Sequence, residues 1–244
     1  MLVEQIRTKM VTLGLDGMLK ALDDQMRISS FRELSFEERL GNLLDHESSW
    51  REDKRLQRLL KTAKLREPAC MEDINYDVSR GLDRSQISSL SSCEWIKKGQ
   101  NLLITGPTGA GKTWMACAFG NQACRRGYKT RFYRIPLLME EMSMSHHDGT
   151  FTKKLNQISR LDLLILDDFG LTQLDTQARR DLLEIAEARS GLRSTVITTQ
   201  LPVEKWHDFL SAGNRTAADA ILDRLVGNSH RLKINGDSMR VLKT

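Results

Sequence analysis

The sequence predicts a three-layer α/β fold: a parallel sheet covered by helices on both faces, preceded by an α-helical appendage. From Asn101 onwards, short apolar runs alternate with helical patterns, which is typical of a parallel sheet. Residues 1–66 instead contain no proline and repeat apolar side chains at helical spacing. We therefore predict a helical domain over 1–67 and an α/β domain, including a short connector, over 68–244.

The N-terminal domain is predicted to end in a long basic helix. Ser35 and Glu38 form a capping-box pattern, so we expect a helix from Phe36 to about Leu65, with Pro68 ending it. Its distal part supplies five candidate nucleic-acid contacts: Arg51, Lys54, Arg55, Arg58 and Lys61. The first four share one helix face, although a solvated face explains such a run equally well. The net charge of +5 and pI near 9.1 favour a polyanionic partner.

Five strands and three main helices are predicted in the second domain. The strands are NLLIT from Asn101, KTRFYRI from Lys129, LDLLILDDF from Leu161, STVITTQ from Ser194 and HRLKI from His230. The helices are 114–125, 175–189 and 217–226. Lys153 and Lys154, between the second and third strands, extend the set of candidate DNA contacts, with a solvated surface as the alternative.

GPTGAGKT, Gly106–Thr113, follows the first strand and opens a helix, as a phosphate-binding loop requires. The glycines allow backbone N–H groups to approach phosphates closely. We expect Lys112 to reach the β- and γ-phosphates of ATP and the Thr113 hydroxyl to ligate Mg²⁺. The predicted cofactor-binding residues are Gly106, Pro107, Thr108, Gly109, Ala110, Gly111, Lys112, Thr113 and Trp114.

LLILDDFG ends an apolar strand in two carboxylates, which fall at the carboxyl edge of the sheet beside the phosphate loop. We expect Asp167 to hold Mg²⁺ through water and Asp168 to orient or deprotonate the attacking water. Two acids capping a turn are the alternative interpretation.

Two further catalytic candidates remain open from the residues alone. Thr199 or Gln200, at the end of the fourth strand, is placed to sense the γ-phosphate, but both are also ordinary strand-end residues. Arg224 follows apolar positions late on a helix. It is either an arginine finger for a neighbouring subunit or one half of a surface ion pair with Asp223 or a nearby acid.

Several functional classes lack their sequence signals. No apolar run is long enough for a membrane span, and the polar N-terminus lacks a signal peptide, which predicts a cytoplasmic protein. The four cysteines form no C-x-x-C pair, and we interpret His146, His147 and Asp148 as a surface loop. The guanine-reading N-K-x-D and the transporter L-S-G-G-Q are absent. SMSHHDGTFTKK does not resemble the Arg-rich lid of a small-molecule kinase.

Taken in order, GPTGAGKT, LLILDDFG, ITTQLPVEKW, ILDRL and a terminal GDSMR resemble the AAA+ ATPases of the DnaC and DnaA clade. Within this clade the chain resembles the IstB-like ATP-binding helpers of insertion-sequence transposition. The resemblance implies an AAA+ core, a P-loop NTPase, that forms a homo-oligomer with inter-subunit ATP sites. It also implies binding to the backbone of duplex DNA and recruitment or activation of an IstA-like transposase. Under it, Arg224 is the arginine finger, and 136–154 is a helical insertion that faces DNA.

Three departures from the family pattern qualify these expectations. Asp168 stands where many AAA+ proteins have Glu, which predicts slow hydrolysis. The sensor position reads Thr-Thr-Gln instead of carrying Asn. Little chain follows the last strand, which leaves no full C-terminal lid and makes Arg240 a candidate substitute contact. The alternatives are a DnaC-like helicase loader, a P-loop small-molecule kinase and a nucleotide-gated binding module without catalysis.

Overall fold

The computed structural model describes residues 2–211, 215–236 and 238. The chain divides into two compact units, Met1–Arg58 and Leu59–Thr244, so the division falls inside one long helix. Among the described residues, no helix has both the length and the apolar character that a membrane span needs.

The first unit is helical. Its elements are α1 (Leu2–Thr12), α2 (Asp16–Arg27) and the first part of α3 (Phe36–Ala63). The predicted capping box starts α3: Ser35 N–H donates to Glu38 Oε2 (2.8 Å), and Glu38 N–H donates to Ser35 Oγ (3.2 Å). The helix ends at Ala63, where Lys64 adopts the left-handed conformation with φ 49°. It therefore ends before Pro68, the residue that the sequence indicated as its end.

Helices α2 and α3 approach closely at Gly17. A Cβ at Gly17 would lie 2.6 Å from His46 O and 2.7 Å from Trp50 Cβ, so only glycine fits. Glu47 Oε2 accepts the backbone N–H groups of Gly17 (2.9 Å) and Met18 (3.1 Å). Because the first N–H groups of a helix have no partner within it, Glu47 completes the N-terminus of α2 and fixes its packing on α3.

The second unit contains five strands and most of the helices. The strands are β1 (Asn101–Thr105), β2 (Thr130–Arg134), β3 (Leu163–Phe169), β4 (Ser194–Thr199) and β5 (Ser229–Lys233). The helices are α4 (Arg84–Ser91), α5 (Glu94–Lys97), α6 (Lys112–Arg125), α7 (Ile135–His147), α8 (Phe151–Ser159), α9 (Thr176–Arg189), α10 (Trp206–Leu210) and α11 (Arg215–Val226). All five predicted strands are confirmed, with bounds shifted by one or two residues.

The sheet is parallel throughout, with strand order β2-β3-β4-β1-β5. Alternate residues of each strand enter opposite cores, as the pleat requires. Leu163 and Ile165 of β3 pack with α6, whereas Leu164 and Leu166 pack with α7, α9 and α11. The predicted three-layer α/β class is therefore confirmed. Because the strands are parallel, every strand ends at the same edge, where the candidate site lies.

Two local expectations differ from the structure. His146 lies in the last turn of α7 instead of a surface loop, and it pairs with buried Asp181 of α9 (Nε2 to Oδ1, 2.8 Å). The Ser-rich stretch from Ile87 forms most of α4, which Asp83 caps by accepting the Ser85 N–H (2.8 Å). Beyond β5 the structure describes 234–236 and Ser238, and the candidate contact Arg240 lies outside the described residues.

Candidate functional site

The glycine-rich loop 106–111 joins the end of β1 to the start of α6. A Cβ on Gly106 would lie 2.2 Å from Ile234 O, so the chain after β5 leaves room only for glycine. Gly111 has φ 92° and directly precedes α6. The first backbone hydrogen bond of α6 runs from Met115 N to Gly111 O (2.9 Å), which leaves the first three N–H groups of the helix without an intrahelical acceptor. This N-terminus suits an anion.

The side chains of the loop face three different environments. Lys112 Nζ donates to Pro107 O (2.8 Å), so the lysine folds back over its own loop. Thr108 is exposed and donates to Gln200 Oε1 (2.7 Å). Ala110 is buried in the core, and partly buried Trp114 packs against the same cluster. Lys112 and Thr108 are therefore the loop side chains available to a ligand, while Ala110 and Trp114 anchor the loop.

Asp167 and Thr113 form the oxygen pair that the sequence predicted for a metal. Thr113 Oγ1 donates to Asp167 Oδ1 (2.9 Å), and the Thr198 hydroxyl of β4 donates to the same carboxylate oxygen. Asp167 is fully buried, and burial raises the pKa of its carboxyl, although the hydrogen bonds from Thr198 and Thr113 act in the opposite direction. A hydroxyl and a carboxylate are hard oxygen ligands, so the pair fits Mg²⁺.

The metal would need further ligands from its substrate or from water. Among the described residues, no group of three or more His, Cys, Asp or Glu side chains is arranged to hold a metal. Mg²⁺ is commonly bound by one or two protein oxygens together with phosphates and water, so the small donor set at Thr113 and Asp167 is compatible with it.

Asp168 lies beside Asp167 but is held by a different partner. Its backbone is left-handed, with φ 63°, and its N–H donates to Thr198 Oγ1 (3.2 Å). Arg134, the last residue of β2, donates from Nε to Asp168 Oδ2 (2.9 Å). The carboxylate is one-quarter exposed. Asp168 is therefore accessible, and an ion pair fixes its direction.

The structure separates the two candidates at the end of β4. Thr199 is buried: its hydroxyl donates to Phe169 O (2.7 Å) and accepts the Leu201 N–H (2.9 Å). Its hydroxyl is thus engaged in the turn after β4. Gln200 instead reaches the phosphate loop through Thr108. Of the two, Gln200 has the side chain placed to respond to a ligand in the loop.

One cavity brings these groups together. It has a volume of about 230 Å³, and its lining includes Lys112, Asp168, Thr199, Gln200 and Lys205. Two lysines and a carboxylate thus face one space at the carboxyl edge of the sheet.

Arg224 lies on α11, and its guanidinium forms an ion pair with Glu187 of α9. The same guanidinium donates to Ala220 O (2.9 Å), and one-quarter of the side chain is exposed. Within the chain, the ion-pair interpretation is therefore the one seen, with Glu187 as partner instead of Asp223.

The candidate DNA contacts fall into two groups. Arg51 pairs with Glu47 (2.6 Å) and Lys54 with Asp16 (2.6 Å), so both already have intramolecular charge partners, and Lys154 pairs with Glu141. The exposed residues outside these pairs are Arg55, Arg58, Lys61 and Lys153.

Sequence reasoning missed four polar residues near this edge: Arg66, Arg80, Arg134 and Thr198. Arg66 NH1 lies 4.0 Å from Asp167 Oδ2, and Arg80 NH2 donates to Ala110 O (2.9 Å). Arg134 and Thr198 end strands that flank β3, so the rule that parallel strands end at one edge would have identified them. No motif marks Arg66 or Arg80, which come from the connector.

Comparison with known proteins identifies relatives along nearly the whole chain. An insertion-sequence ATP-binding protein of Sinorhizobium fredii is 46% identical over 240 residues, covering 98% of this chain and 97% of that protein. The corresponding protein of IS1162 from Pseudomonas fluorescens is 49% identical over 83% of this chain and 88% of its own. An insertion-sequence ATP-binding protein of Mycobacterium tuberculosis is 28% identical over 98% of this chain and 94% of its own.

Solved structures show the same fold. The DnaC helicase loader matches with a TM-score of 0.52 at 24% identity, over 68% of this chain and 98% of its own. AMPPCP-bound DnaA from Aquifex aeolicus matches with a TM-score of 0.57 at 20% identity, over 72% of this chain and 53% of its own. The α/β unit therefore has the AAA+ P-loop fold. The model of the IstB-like ATP binding protein family matches residues 8–244, and the chain belongs to that family.

Proposed function

We propose that this protein is an ATP-dependent AAA+ regulator that assembles on duplex DNA and recruits or activates a partner transposase of the IstA-like class. The convergence of Lys112, Thr113 and Asp167 at the start of α6 carries the nucleotide part of the proposal. Family membership and the names of the relatives, which belong to insertion sequences, support the transposition part. We place its action in the cytoplasm, where its DNA substrate is found.

The phosphate loop and α6 would bind the triphosphate. The helix N-terminus supplies N–H groups, and Lys112 would leave Pro107 O to contact the β- and γ-phosphates. Thr113 and Asp167 would hold Mg²⁺, which supplies charge neutralisation at the phosphates. Gln200, already bonded to Thr108, would sense whether the γ-phosphate is present.

Hydrolysis would depend on Asp168. Its carboxylate borders the same cavity as Lys112 and would accept a proton from the attacking water. In the structure this carboxylate is bonded to Arg134, so the ion pair must loosen before Asp168 can act as a base. We therefore expect slow turnover in the free protein.

The site would be completed by a second subunit. Arg224 pairs with Glu187 in its own chain and would exchange this partner for the γ-phosphate of a neighbour on assembly. DNA would bind through phosphate contacts from Arg55, Arg58, Lys61 and Lys153, which makes binding largely independent of sequence.

The test combines assembly and turnover. Purified protein is mixed with ATP, Mg²⁺ and duplex DNA, and its size is followed by analytical ultracentrifugation while phosphate release is measured. We expect a defined larger assembly and faster release than without DNA, and neither with Lys112→Ala. A rate that responds to a small-molecule acceptor and ignores DNA would instead identify a kinase. Stimulation of a replicative helicase, but not of the cognate transposase, would identify a helicase loader.

A further inference from the structure

Arg80 is a buried cation directly behind the phosphate loop. The residue is 6% exposed, and it lies in the connector before α4, outside the Gly106–Thr113 motif. Its NH2 group donates to Ala110 O (2.9 Å) and its NH1 group donates to Asn75 O (3.0 Å). A Cβ on Gly111 would lie 3.0 Å from the same NH2 group, so the guanidinium touches the last turn of the loop.

The bond to Ala110 O determines how the next peptide group faces. In a trans peptide the C=O of one residue and the N–H of the next point in opposite directions. Because Ala110 O points at Arg80, the Gly111 N–H points away from it. A phosphate-binding loop needs its N–H groups turned towards the ligand, so Arg80 fixes the loop in the orientation that binding requires.

The charge of Arg80 lacks a bonded counter-ion among the described residues. Both of its bonds go to neutral carbonyl oxygens. Asp77, the acid that influences it, is exposed and bonds to Asn75 instead (2.6 Å). A buried charge with neutral partners is costly, and the cost falls when an opposite charge binds nearby. The loop in front of Arg80 is where the triphosphate would supply that charge.

The surrounding backbone keeps Arg80 in this position. Asn235 N–H donates to Arg80 O (2.9 Å), and Ile234 N–H donates to Thr105 O (2.8 Å). Gly81 has φ 62°, and a Cβ there would lie 2.6 Å from Asn235 Nδ2. The connector, the end of β1 and the chain after β5 thus meet behind the phosphate loop.

From this geometry we infer that Arg80 is a positioning residue for nucleotide binding: it orients the Ala110–Gly111 peptide, and its charge is matched by the bound phosphates. The inference rests on the proposed ATP binding and extends it to a residue outside the loop motif. It predicts that the effect of Arg80 grows with the negative charge of the ligand.

The experiment measures ATP and ADP affinity by calorimetry in Mg²⁺ buffer for the full chain. Arg80→Met should weaken ATP binding by about tenfold, as loss of one partly screened charge interaction implies, and should weaken ADP binding less. Arg80→Lys keeps the charge but loses the two-pronged donor, so it should recover part of the ATP affinity. Arg84→Met is the matched control, because Arg84 is exposed in the same connector and stacks on Tyr76 (4.6 Å); we expect wild-type affinity.

Each outcome decides a different point. ATP affinity of Arg80→Met equal to that of the wild type would overturn the inference. Equal losses for ATP and ADP, without recovery in Arg80→Lys, would show a merely structural role and also overturn it. If circular dichroism shows that Arg80→Met is unfolded, wild-type affinity in Arg80→Lys would refute the orienting role. If the wild type and Arg84→Met bind no ATP, the proposed function itself fails.

Discussion

Asp167→Asn should stabilise the protein in the absence of metal while removing its response to Mg²⁺. The Asp167 carboxyl is fully buried, and burial is the largest influence on it, raising its pKa. An acid whose pKa is raised by folding contributes stability below its unfolded pKa and loses it as pH rises through the folded pKa. Asparagine carries no charge, so the advantage of the variant should grow with pH and be complete at neutral pH.

The size of the effect follows from what the substitution keeps. The amide oxygen can still accept the hydroxyl hydrogen bonds of Thr113 and Thr198, though more weakly than a carboxylate. The repulsion from Asp168 disappears. Arg66, 4.0 Å away and 45% exposed, loses an attraction of at most about 1 kcal/mol. We expect a net gain of about 1 kcal/mol, which raises Tm by about 2–4 °C for a domain of this size.

The assay is thermal unfolding in EDTA from pH 5 to 8, repeated with Mg²⁺ and ATP. Asp181→Asn is the matched control, because Asp181 is also buried but bonds to His146 (2.8 Å) and Gln177 (2.9 Å). Its substitution removes a paired charge and should lower Tm. An Asp167→Asn protein that is less stable than the wild type at pH 8 in EDTA would refute the reasoning. So would an undiminished stabilisation by Mg²⁺ and ATP.

Three further predictions concern turnover and DNA. Arg224→Ala should lower phosphate release by about 10³- to 10⁵-fold while calorimetry shows ATP binding intact; unchanged turnover would exclude the inter-subunit role. Glu substitution of Arg55 and Arg58 should weaken DNA binding and flatten its salt dependence by about 0.9 in the log–log slope per lost phosphate contact, and an unchanged slope would place the DNA elsewhere. Arg134→Gln should free Asp168 and raise DNA-independent phosphate release severalfold; a fall in release would contradict the restraining role.

The parts of the site that could be predicted are those contained in one continuous stretch. The phosphate loop needs a strand, a glycine turn and a helix start in immediate succession, so GPTGAGKT carries its own context. The acids after β3 follow from an apolar run with a defined end. The structure brings Thr113 of the first motif to Asp167 of the second, 2.9 Å apart, as the shared sheet edge implies.

What could not be predicted depends on strand order and on pairing across the chain. Arg134 reaches Asp168 only because β2 is the neighbour of β3, which strand length and composition do not reveal. Arg51 is a different case. Glu47, four residues earlier on α3, is at the spacing of a helical ion pair, so its partner was readable and was overlooked.

The connector explains why the site draws on residues far from its motifs. Leu65 packs so closely on α6 that a Cβ at Gly120 would lie 2.8 Å from Leu65 Cδ2. The next residue, Arg66, brings its guanidinium to 4.0 Å from Asp167 Oδ2. Both follow directly from the end of α3, the basic helix proposed to meet DNA. Since Arg66 and a bound Mg²⁺ are attracted to the same carboxylate, metal binding acts on the segment that ends this helix, and the nucleotide and DNA sites need no longer connection than these few residues.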